Sequence, residues 1–600
     1  MKLRVLALGF DGTVAADGGL DGGVADAIRE ARRAGVLTVL VSGRMLVDMR
    51  ALLQAPDLFD AVVAEGGAVL QIPNGPDPTA LARGPDAALI AELRRRNVAH
   101  QRGLCMVEAA AVAAPDVLAS LHALGSPHGI TFDRGRLTVL PPGVSKATGL
   151  GEAVWRLRAS VHNAVAIGGA EDDQPMLDVC EIGAAVAWGS SALQRSADLV
   201  VAGSGPAGVA DYIRTLVATD PIVPRRKPDS LHRLRVGTRE TGVPVTVETR
   251  WRNVLFTGDP RSGKTWLVSL LCERLVLARH AICVLDPEGD YTCLGALPGV
   301  VVHRVHRHED LLAGLQGILR QPTLSVVVDL SGLAVDAKPA AVRSLLREVN
   351  VLRRELGVPH RVVLDEAHYF LGRHADAEVF DPALGGCYLV TYRSADLEPD
   401  VLDACDLIVA TRIADRRFAA RLVDLVRPPE PASTWVDALA NLAIGEAVLL
   451  RAHPEEEHGI IRFTLERRLT SHVRHREKYV DVGVPPGREF VFTRDGRPTE
   501  HRVRTLREFL DILRVVADDV FAGHLRRGDF HRWIEDVVGD RDLGEGIRGV
   551  EGGNATKARE TIERAIRERY LHAESEPCDG GGPDGPPAVG SVMQEGPGQW

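Results

Sequence analysis

Lysine, aromatic residues and long apolar runs are scarce in this chain of 600 residues. Only seven of its 71 Lys and Arg residues are lysines, and Phe, Trp and Tyr make up 4% of the sequence. No apolar run approaches the about 20 residues of a membrane span, and no signal-peptide pattern opens the chain, so we expect a cytoplasmic protein that does not enter a membrane. A net charge of −10 argues against a protein that coats nucleic acid along its whole surface.

The cysteines lack the spacing of a metal site. The sequence has eight, none of them in a C-x-x-C pair, and several lie within apolar runs. Reduced, buried thiols are the expected state of such cysteines in a cytoplasmic protein. The composition therefore excludes a disulfide framework and a cysteine-bound zinc.

Apolar strands alternate with amphipathic helices through most of the chain, which predicts a multidomain α/β protein. The second of its five segments is rich in proline and basic residues and reads as a linker, and the fourth reads as a small, mostly helical domain. Gly, Pro, Asp, Ser and Glu dominate the last segment, which is predicted to be a disordered tail. The predicted boundaries are 1–215, 216–232, 233–470, 471–572 and 573–600.

Four polar motifs punctuate the first segment. They are Gly9-Phe10-Asp11-Gly12-Thr13, Ser42-Gly43-Arg44, Ser145-Lys146-Ala147-Thr148 and Gly168-Gly169-Ala170-Glu171-Asp172-Asp173. In this order they resemble the haloacid dehalogenase (HAD) phosphatase superfamily. The resemblance implies a HAD-like Rossmannoid sheet, and residues 72–142 are long enough to form the α/β cap of its sugar-phosphatase-like branch.

The resemblance also implies roles for single residues. Asp11 falls on the family's acid/base position and Thr13 on its conserved threonine. Ser42 and Lys146 fall on the positions that hold the phosphate, and Asp173 falls on a metal-side position. Gly9 stands at the nucleophile position and Gly169 where a metal-binding Asp is expected, although Asp172 could partly compensate. Covalent catalysis requires a nucleophilic atom that glycine does not have, so we expect a domain that keeps its fold without phosphatase turnover. Binding of a phosphorylated ligand at Lys146 stays open.

A glycine-rich loop lies near the middle of the chain. Gly258-Asp259-Pro260-Arg261-Ser262-Gly263-Lys264-Thr265 matches G-x-x-x-x-G-K-[ST], between a short apolar strand and an apolar helix. Such a loop cradles phosphates with its backbone N–H groups, its Lys reaches the β- and γ-phosphates, and its Ser or Thr hydroxyl ligates Mg²⁺. The sequence therefore predicts ATP binding, with Lys264 on phosphate and Thr265 on the metal.

A pair of acids follows a later apolar strand, at Asp365 and Glu366. Downstream of a phosphate loop, the first acid is expected to hold Mg²⁺ and the second to activate the attacking water. Together with Asp286-Pro287-Glu288-Gly289-Asp290-Tyr291 and Val328-Asp329-Leu330-Ser331, these motifs resemble the HerA-like branch of the FtsK–HerA superfamily of P-loop ATPases. The resemblance implies a RecA-like core and a homo-oligomer, with a hexamer suspected, that translocates DNA or protein.

Two further residues complete the predicted nucleotide site. Tyr392 stands where relatives usually carry a polar sensor, often Gln, and Arg412 follows a predicted strand as the candidate arginine finger. Mg²⁺-dependent ATP hydrolysis with an inactive HAD-like domain is thus the leading hypothesis. The alternatives are a phosphatase acting on a small phosphorylated metabolite with a regulatory ATPase, and a nucleotide-dependent binding switch with little turnover.

Overall fold

The computed structural model describes residues 1–570 other than 17, 54–55, 74, 76, 134, 220–221, 223–232, 249, 251, 335, 373–378, 427–430, 452–460, 471–479, 481–483, 485–486, 539 and 551–554. The chain divides into two compact units, Met1–Thr470 and Ser471–Trp600. Most of the predicted linker and all of the predicted disordered tail therefore lie outside the described residues. Within the described residues, no helix combines the length and the apolar character needed to cross a membrane.

The amino-terminal part of the first unit alternates strands and helices as predicted. Its strands are β1 (Val5–Gly9), β2 (Ala15–Ala16), β3 (Gly19–Leu20), β4 (Leu37–Val41), β5 (Ala61–Ala64), β6 (Val69–Gln71), β7 (Thr79–Ala80), β8 (His100–Arg102), β9 (Val107–Ala110), β10 (Gly129–Asp133), β11 (Arg136–Leu140), β12 (Ala164–Gly168), β13 (Ile182–Val186) and β14 (Leu199–Val201). Its helices are α1 (Gly22–Arg33), α2 (Leu46–Leu52), α3 (Ala87–Arg95), α4 (Ala114–Ala123), α5 (Lys146–Arg156), α6 (Gln174–Val179), α7 (Ser191–Ser196) and α8 (Pro206–Ala218).

Eight of these strands form one sheet, in the order β14-β13-β12-β1-β4-β5-β6-β7. The strands from β14 to β5 run parallel, and β1 lies between β12 and β4. Every residue of β1, β12 and β13 is buried, because helices cover both faces of a parallel sheet. The carboxyl ends of β12, β1 and β4 consequently meet at one edge.

A separate antiparallel sheet, β10-β11-β9-β8, lies within residues 72–142. Its apolar face packs against α3 and α4, with Leu93, Val107, Val117 and Leu137 in the shared core. This small layer contains both helices and strands, as an α/β cap would, and its role as a cap stays a prediction.

The remainder of the first unit is built around a second, larger sheet. Its strands are β15 (Arg233–Thr238), β16 (Pro244–Glu248), β17 (Val254–Thr257), β18 (Ile282–Asp286), β19 (Val300–Arg304), β20 (Ser325–Asp329), β21 (Arg361–Leu364), β22 (Cys387–Thr391), β23 (Leu407–Ala410), β24 (Glu446–Arg451) and β25 (Ile461–Leu465). Its helices are α9 (Lys264–Leu277), α10 (Leu315–Leu319), α11 (Lys338–Leu356), α12 (Pro399–Asp403), α13 (Arg416–Val426) and α14 (Ala432–Ala440).

The strand order of this sheet is β16-β15-β25-β24-β23-β17-β22-β21-β18-β20-β19. The segment from β23 to β19 is parallel, and the strands from β24 to β16 continue it as antiparallel neighbours. The later strand β22 is inserted between β17 and β21, with Thr257 opposite Thr391 and Leu364 opposite Leu389. Two apolar clusters cover the two faces of the parallel segment.

A group of histidines joins the two sheets of the first unit. The ring of His162, which precedes β12, stacks on that of His280 at a centroid distance of 3.5 Å. The side chain of His360, just before β21, accepts a hydrogen bond from the backbone N–H of Ala281 at 2.8 Å and contacts Asn163 Oδ1 through Nε2 at 3.0 Å. These contacts attach the amino-terminal part to the amino ends of β18 and β21.

The second unit combines a hairpin with short helices. The hairpin is formed by β26 (Phe490–Arg494) and β27 (Arg497–Val503), and the helices are α15 (Leu506–Val515), α16 (Asp518–Arg527), α17 (Asp529–Trp533), α18 (Arg541–Arg548) and α19 (Ala555–Tyr570). Neither the stretch from Leu506 to Phe521 nor that from His524 to Val538 forms one continuous helix. The chain turns at Val516, whose backbone is extended (φ −66°, ψ 138°), and again at the left-handed Gly528.

Candidate functional site

The five residues assigned by the first resemblance converge at the carboxyl edge of the first sheet. Asp11 follows β1, Ser42 follows β4 and Asp173 follows β12, while Lys146 begins α5. These strands are neighbours in the sheet, so side chains distant in sequence are brought to one place. Lys146 and Asp173 are in direct contact. We call this cluster the amino-terminal site.

Lys146 is bound by two acids. Its Nζ lies 2.6 Å from Asp173 Oδ1 and 2.7 Å from Asp172 Oδ2. Burial alone would lower the pKa of Lys146, but the two carboxylates outweigh it and hold the pKa above its ordinary value. The other oxygen of Asp173 accepts hydrogen bonds from the backbone N–H groups of Gly169 and Ala170, at 2.8 and 3.1 Å. The ammonium is therefore neutralised within the protein.

Asp11 is also paired, with arginine. Arg44 donates two hydrogen bonds to its carboxylate, at 2.8 and 2.7 Å, and Arg136 reaches it at 3.5 Å from the small sheet. Arg136 in turn contacts Asp133 at 2.7 Å. The bond to Asp11 raises the pKa of the Arg44 guanidinium. Two guanidinium groups therefore contact the carboxyl group of the residue at the acid/base position.

The Gly9 position offers no nucleophile. A Cβ atom there would lie 3.1 Å from Thr13 Oγ1 and 3.2 Å from Asp173 Oδ2, so the position faces the centre of the site. Thr13 is fully buried, and its hydroxyl has no hydrogen-bond partner among the described residues. Ser42 is buried nearby, where its hydroxyl accepts a bond from the backbone N–H of Arg44 at 3.1 Å.

The amino-terminal site does not fit the magnesium ion that the resemblance implies. Gly9 and Gly169 supply no carboxylate, Asp172 and Asp173 are bonded to Lys146, and Asp11 is bonded to Arg44. In the part of the chain that the structure describes, no group of three His, Cys, Asp or Glu side chains is arranged to hold a metal. The Lys146 ammonium thus occupies the carboxylates that a magnesium ion would need as oxygen ligands.

The second candidate site surrounds the glycine-rich loop (Gly258–Thr265), which joins β17 to α9. Lys264, the first residue of α9, folds its Nζ over the loop, 3.0 Å from the carbonyl oxygen of Gly258 and 2.8 Å from that of Asp259. Thr265 occupies the second position of the same helix. Backbone N–H groups at a helix start are unpaired within the helix, which makes this end suited to anions.

Hydrogen bonds connect the loop to residues just after the neighbouring strand β23. Ser262 Oγ lies 2.5 Å from Thr411 Oγ1, and Asp259 accepts from the backbone N–H of Ala414 at 2.8 Å. Gly258 has a φ of +148°, and Arg261 is left-handed with a φ of 64°. Non-glycine residues adopt this conformation at a cost of about 1–3 kcal/mol, and they concentrate at functional sites. Pro260 and Gly263 complete the turn into the helix.

The acid pair lies at the same edge of the sheet as the loop. Asp365 and Glu366 follow β21, which is separated from β17 only by β22. Glu366 is left-handed, with φ 49° and ψ 44°, and begins a 3₁₀ turn over Ala367–Tyr369. Asp365 is buried. The strand order thus brings together the glycine-rich loop and two acids more than a hundred residues later.

His368 lies within the turn that follows the acid pair. Burial lowers its pKa to about 4, and the charges of Arg393 and Lys264 act in the same direction against Asp396. The imidazole is therefore neutral near pH 7, and the charge of Lys264 contributes to this. The ring of Tyr392 packs nearly perpendicular to it at 4.9 Å, with the guanidinium of Arg393 over the Tyr392 ring.

Arg412 contacts the loop of its own chain through its backbone. Its carbonyl oxygen accepts a hydrogen bond from the N–H of Asp259 at 2.8 Å. The Nε atom of its side chain is buried without a hydrogen-bond partner among the described residues. This places Arg412 beside the loop, whereas its role as a finger toward a neighbouring subunit stays a prediction.

Another acid of the second resemblance stabilises the backbone of its own motif. Asp286 accepts hydrogen bonds from the N–H groups of Gly289, Asp290 and Tyr291, at 2.8, 3.1 and 2.9 Å. Burial raises the pKa of Asp286 to about 7, and the neighbouring Asp290 acts in the same direction. The residue is paired in sheet register with Asp329. Its contacts order the turn after β18.

Sequence reasoning missed several polar residues of these sites. Arg136 and Asp133 belong to the small sheet, and nothing in their spacing pointed to Asp11. Arg44 was visible as the last residue of the Ser42 motif, but its target was not. The side chains of His368, in the turn after β21, and Thr391, at the end of β22, are hydrogen-bonded to each other at 2.9 Å. The signal that could have pointed to this bond is a polar residue, Thr391, at the end of an otherwise apolar strand.

Comparison with known proteins supports one part of the chain. Residues 120–213 match the family described as haloacid dehalogenase-like hydrolase. The match covers α5, β12 and the loop that carries Asp172 and Asp173, and it ends before the second sheet. That the second sheet belongs to a P-loop ATPase accordingly stays a prediction from the sequence motifs.

Individual relatives agree with the family match. A phosphoglycolate phosphatase of Aeropyrum pernix is 27% identical over 229 residues, which are 36% of this chain and 94% of that protein. The stress response protein YhaX of Bacillus subtilis is 36% identical over 75 residues, which are 12% of this chain and 26% of that protein.

Solved structures are similar over the same share of the chain. A haloacid dehalogenase-like hydrolase from B. subtilis aligns at 15% identity with a TM-score of 0.32, covering 36% of this chain and all of that one. The family match itself establishes the fold of this region. The amino-terminal part of this protein therefore contains a haloacid dehalogenase-like hydrolase domain, supported over residues 120–213.

Proposed function

We propose that the chain binds and hydrolyses Mg–ATP at the glycine-rich loop. The observation that carries the proposal is the strand order of the second sheet. Because of it, Lys264 at the start of α9 and the acids Asp365 and Glu366 lie at the same edge of the sheet. A single intervening strand separates the two motifs, and the charge of Lys264 reaches His368 in the turn after the acids. This is the arrangement that phosphoryl transfer to water requires.

Each group has a task in this reaction. Lys264 moves from the loop carbonyls to the β- and γ-phosphates, and the first N–H groups of α9 neutralise phosphate oxygens. Thr265 and Asp365 hold the magnesium ion that arrives with the nucleotide as part of the substrate. Glu366 orients the attacking water and accepts its proton, with Tyr392 beside the terminal phosphate. Arg412 is the proposed finger of an adjacent subunit.

Phosphate release from Mg–ATP tests the proposal. Lys264→Ala is expected to abolish nucleotide binding, and Glu366→Gln to keep binding while lowering turnover by about 10²–10⁴-fold, because a general base is lost. Lys557→Ala, at an exposed lysine of α19, is the matched control and should leave both unchanged. Equal phosphate release by wild type and Lys264→Ala would refute the proposal.

A translocase function would extend this activity. We propose a homo-oligomer, with a hexamer as the suspected state, in which ATP hydrolysis moves DNA or a protein. Mass photometry with and without ATP and DNA measures the assembly, and stimulation of hydrolysis by a polymer measures the coupling. Nucleotide-dependent assembly with turnover near zero would favour a binding switch instead.

A second candidate function is hydrolysis of a small phosphorylated metabolite by the haloacid dehalogenase-like domain. The family match of residues 120–213 favours it. Lys146, Ser42 and the buried hydroxyl of Thr13 are the groups available to a phosphoryl oxygen. The glycine at position 9 weighs against a covalent phosphoenzyme, because no side-chain oxygen is present there to attack phosphorus. Regulation by the nucleotide site would then be the role of the second sheet.

An aryl phosphate assay separates the two candidates. If the amino-terminal site hydrolyses phosphate esters, wild type turns over the substrate, Asp11→Asn abolishes this activity, and Lys264→Ala leaves it intact. If the site has lost catalysis, wild type is inactive in the presence of Mg²⁺. Gly9→Asp introduces the missing carboxylate without backbone strain, since φ is −63° and ψ 146° there. Gain of activity in that variant alone would identify the absent nucleophile as the cause.

A further inference from the structure

The hydrogen bonds of His368 indicate a ligand contact of this side chain, which depends on the nucleotide site proposed above. His368 is 8% exposed, and its Nδ1 lies 2.9 Å from Thr391 Oγ1. The same Thr391 oxygen accepts a bond from the backbone N–H of Arg393 at 2.9 Å. The carboxylate of Glu366 approaches the same nitrogen only to 3.5 Å, beyond the usual hydrogen-bond distance.

The contacts of Thr391 fix where the imidazole proton lies. Thr391 is 1% exposed, so its hydroxyl hydrogen needs an acceptor within the protein, and His368 Nδ1 is the partner in position. If Nδ1 accepts this bond, the ring proton of the neutral histidine is on Nε2. The opposite tautomer would leave both the threonine hydrogen and the Nε2 lone pair unmatched, and each buried unmatched polar atom is costly.

The Nε2–H group is then a buried donor with no acceptor. Among the described residues, no hydrogen-bond partner lies near His368 Nε2. The ring itself is fixed by the contact with Tyr392 at 4.9 Å and by Tyr369 at 4.1 Å. His368 follows β21, and its partner Thr391 ends β22, which lies between β21 and the strand β17 that leads into the glycine-rich loop. The ring therefore lies at the sheet edge that carries this loop, where an acceptor from a bound ligand can satisfy Nε2–H.

We infer that His368 Nε2–H donates to a terminal phosphoryl oxygen of the bound nucleoside triphosphate and so distinguishes triphosphate from diphosphate. The Thr391 hydroxyl holds the ring in the donating tautomer. Because Thr391 ends β22, loss of the terminal phosphate is transmitted through His368 to Tyr392 and Arg393, which follow directly. A neutral imidazole suits this task since it donates to phosphate without requiring protonation.

Two isosteric substitutions separate the two ring nitrogens. His368→Asn keeps an acceptor for Thr391 near the Nδ1 position but places no group at Nε2. His368→Gln extends an amide donor to about the Nε2 position. The probes are ADP and the β,γ-imido analogue of ATP, each with Mg²⁺, and the measured quantity is the ratio of their Kd values.

Wild type and His368→Gln are expected to prefer the triphosphate analogue, whereas His368→Asn loses about ten- to hundredfold of that preference with its ADP affinity unchanged. An unchanged ratio in His368→Asn would overturn the inference while leaving the nucleotide site standing. Failure of wild type to bind either nucleotide would overturn both.

A spectroscopic readout reports on the ring in the wild-type protein itself. In wild type labelled with ¹⁵N-histidine, the resonances absent from His368→Gln identify the ring. They are expected to have the pattern of the Nε2–H tautomer and to shift with the triphosphate analogue but not with ADP. An Nδ1–H pattern, or equal shifts with both nucleotides, would refute the inference.

Discussion

Lys146 Nζ lies 2.6 Å from Asp173 Oδ1 and 2.7 Å from Oδ2 of the adjacent Asp172. All three side chains are largely buried. Burial raises the pKa of Asp172 above its ordinary value, and Lys146 opposes this only in part. The ammonium is the charge that makes two adjacent buried carboxylates tolerable.

Removal of this ammonium should destabilise the amino-terminal domain. Lys146→Met is expected to lower the free energy of unfolding by about 3–5 kcal/mol, because it leaves buried carboxylates without a counter-charge. Arg29→Met, which breaks an exposed pair with Asp26, should change it by less than about 1 kcal/mol. Denaturant unfolding measures both, and similar losses in the two variants would contradict the prediction.

Gly258→Ala is predicted to disable the glycine-rich loop. A Cβ atom at this position would lie 2.1 Å from Thr411 Oγ1, and the backbone has a φ of +148° that side chains rarely adopt. The loop must shift, so we expect at least a tenfold rise in the Kd for Mg–ATP, which is about 1.4 kcal/mol. Gly242→Ala is the control, since φ is +82° there and nothing lies within 4 Å. Nucleotide titration should show no change in that variant.

The histidines between the two sheets should make stability depend on pH. Burial lowers the pKa of His360 well below its ordinary value of 6.5, and the neighbouring His162 and Arg361 act in the same direction against Glu181. As pH falls below 6.5, the unfolded chain takes up a proton that folded His360 does not. The free energy of unfolding therefore falls, with a limiting slope of about 1.4 kcal/mol per pH unit for each such histidine.

Substitution of His360 checks that sign. His360→Gln is expected to reduce the loss of stability between pH 7 and pH 5, although it lowers stability at pH 7 by disturbing the bonds to Ala281 and Asn163. His308→Asn, at an exposed histidine, should leave the slope unchanged. Unfolding curves at four pH values measure the slopes. Equal slopes in wild type and His360→Gln would contradict the prediction.

Glu273 of α9 should be as important for stability as any apolar core residue. It is 1% exposed, lies 3.2 Å from Arg468 Nε, and accepts backbone hydrogen bonds from Leu469 and Thr470 at 2.7 and 3.0 Å. Glu273→Ala leaves the buried Arg468 without this carboxylate and is expected to cost about 3–5 kcal/mol. Thermal unfolding compares it with Glu355→Ala, at an exposed position of α11, which should be nearly neutral.

The sequence was most informative where chemistry is local. The motif at Gly258–Thr265 requires its glycines, lysine and threonine within eight consecutive residues, and strand and helix form on either side of it as expected. The apolar strand expected directly before the acid pair is β21, which ends at Leu364. In the second unit, Val516 and Gly528 interrupt an apolar period that continues across the break, so the sequence pattern does not define the helix ends there.

By itself the sequence determined the elements, the glycine-rich loop, the acid pair and the glycines that replace two acids of the amino-terminal site. These features depend on the identity of neighbouring residues and on short-range backbone preferences. Only the tertiary structure decided that Arg136 meets Asp11, that Thr391 orients His368 and that Glu273 binds Arg468, since each pair joins residues from separate elements. Strand order in the two sheets sets those pairings, and strand order follows from packing over the whole core, which no local pattern encodes.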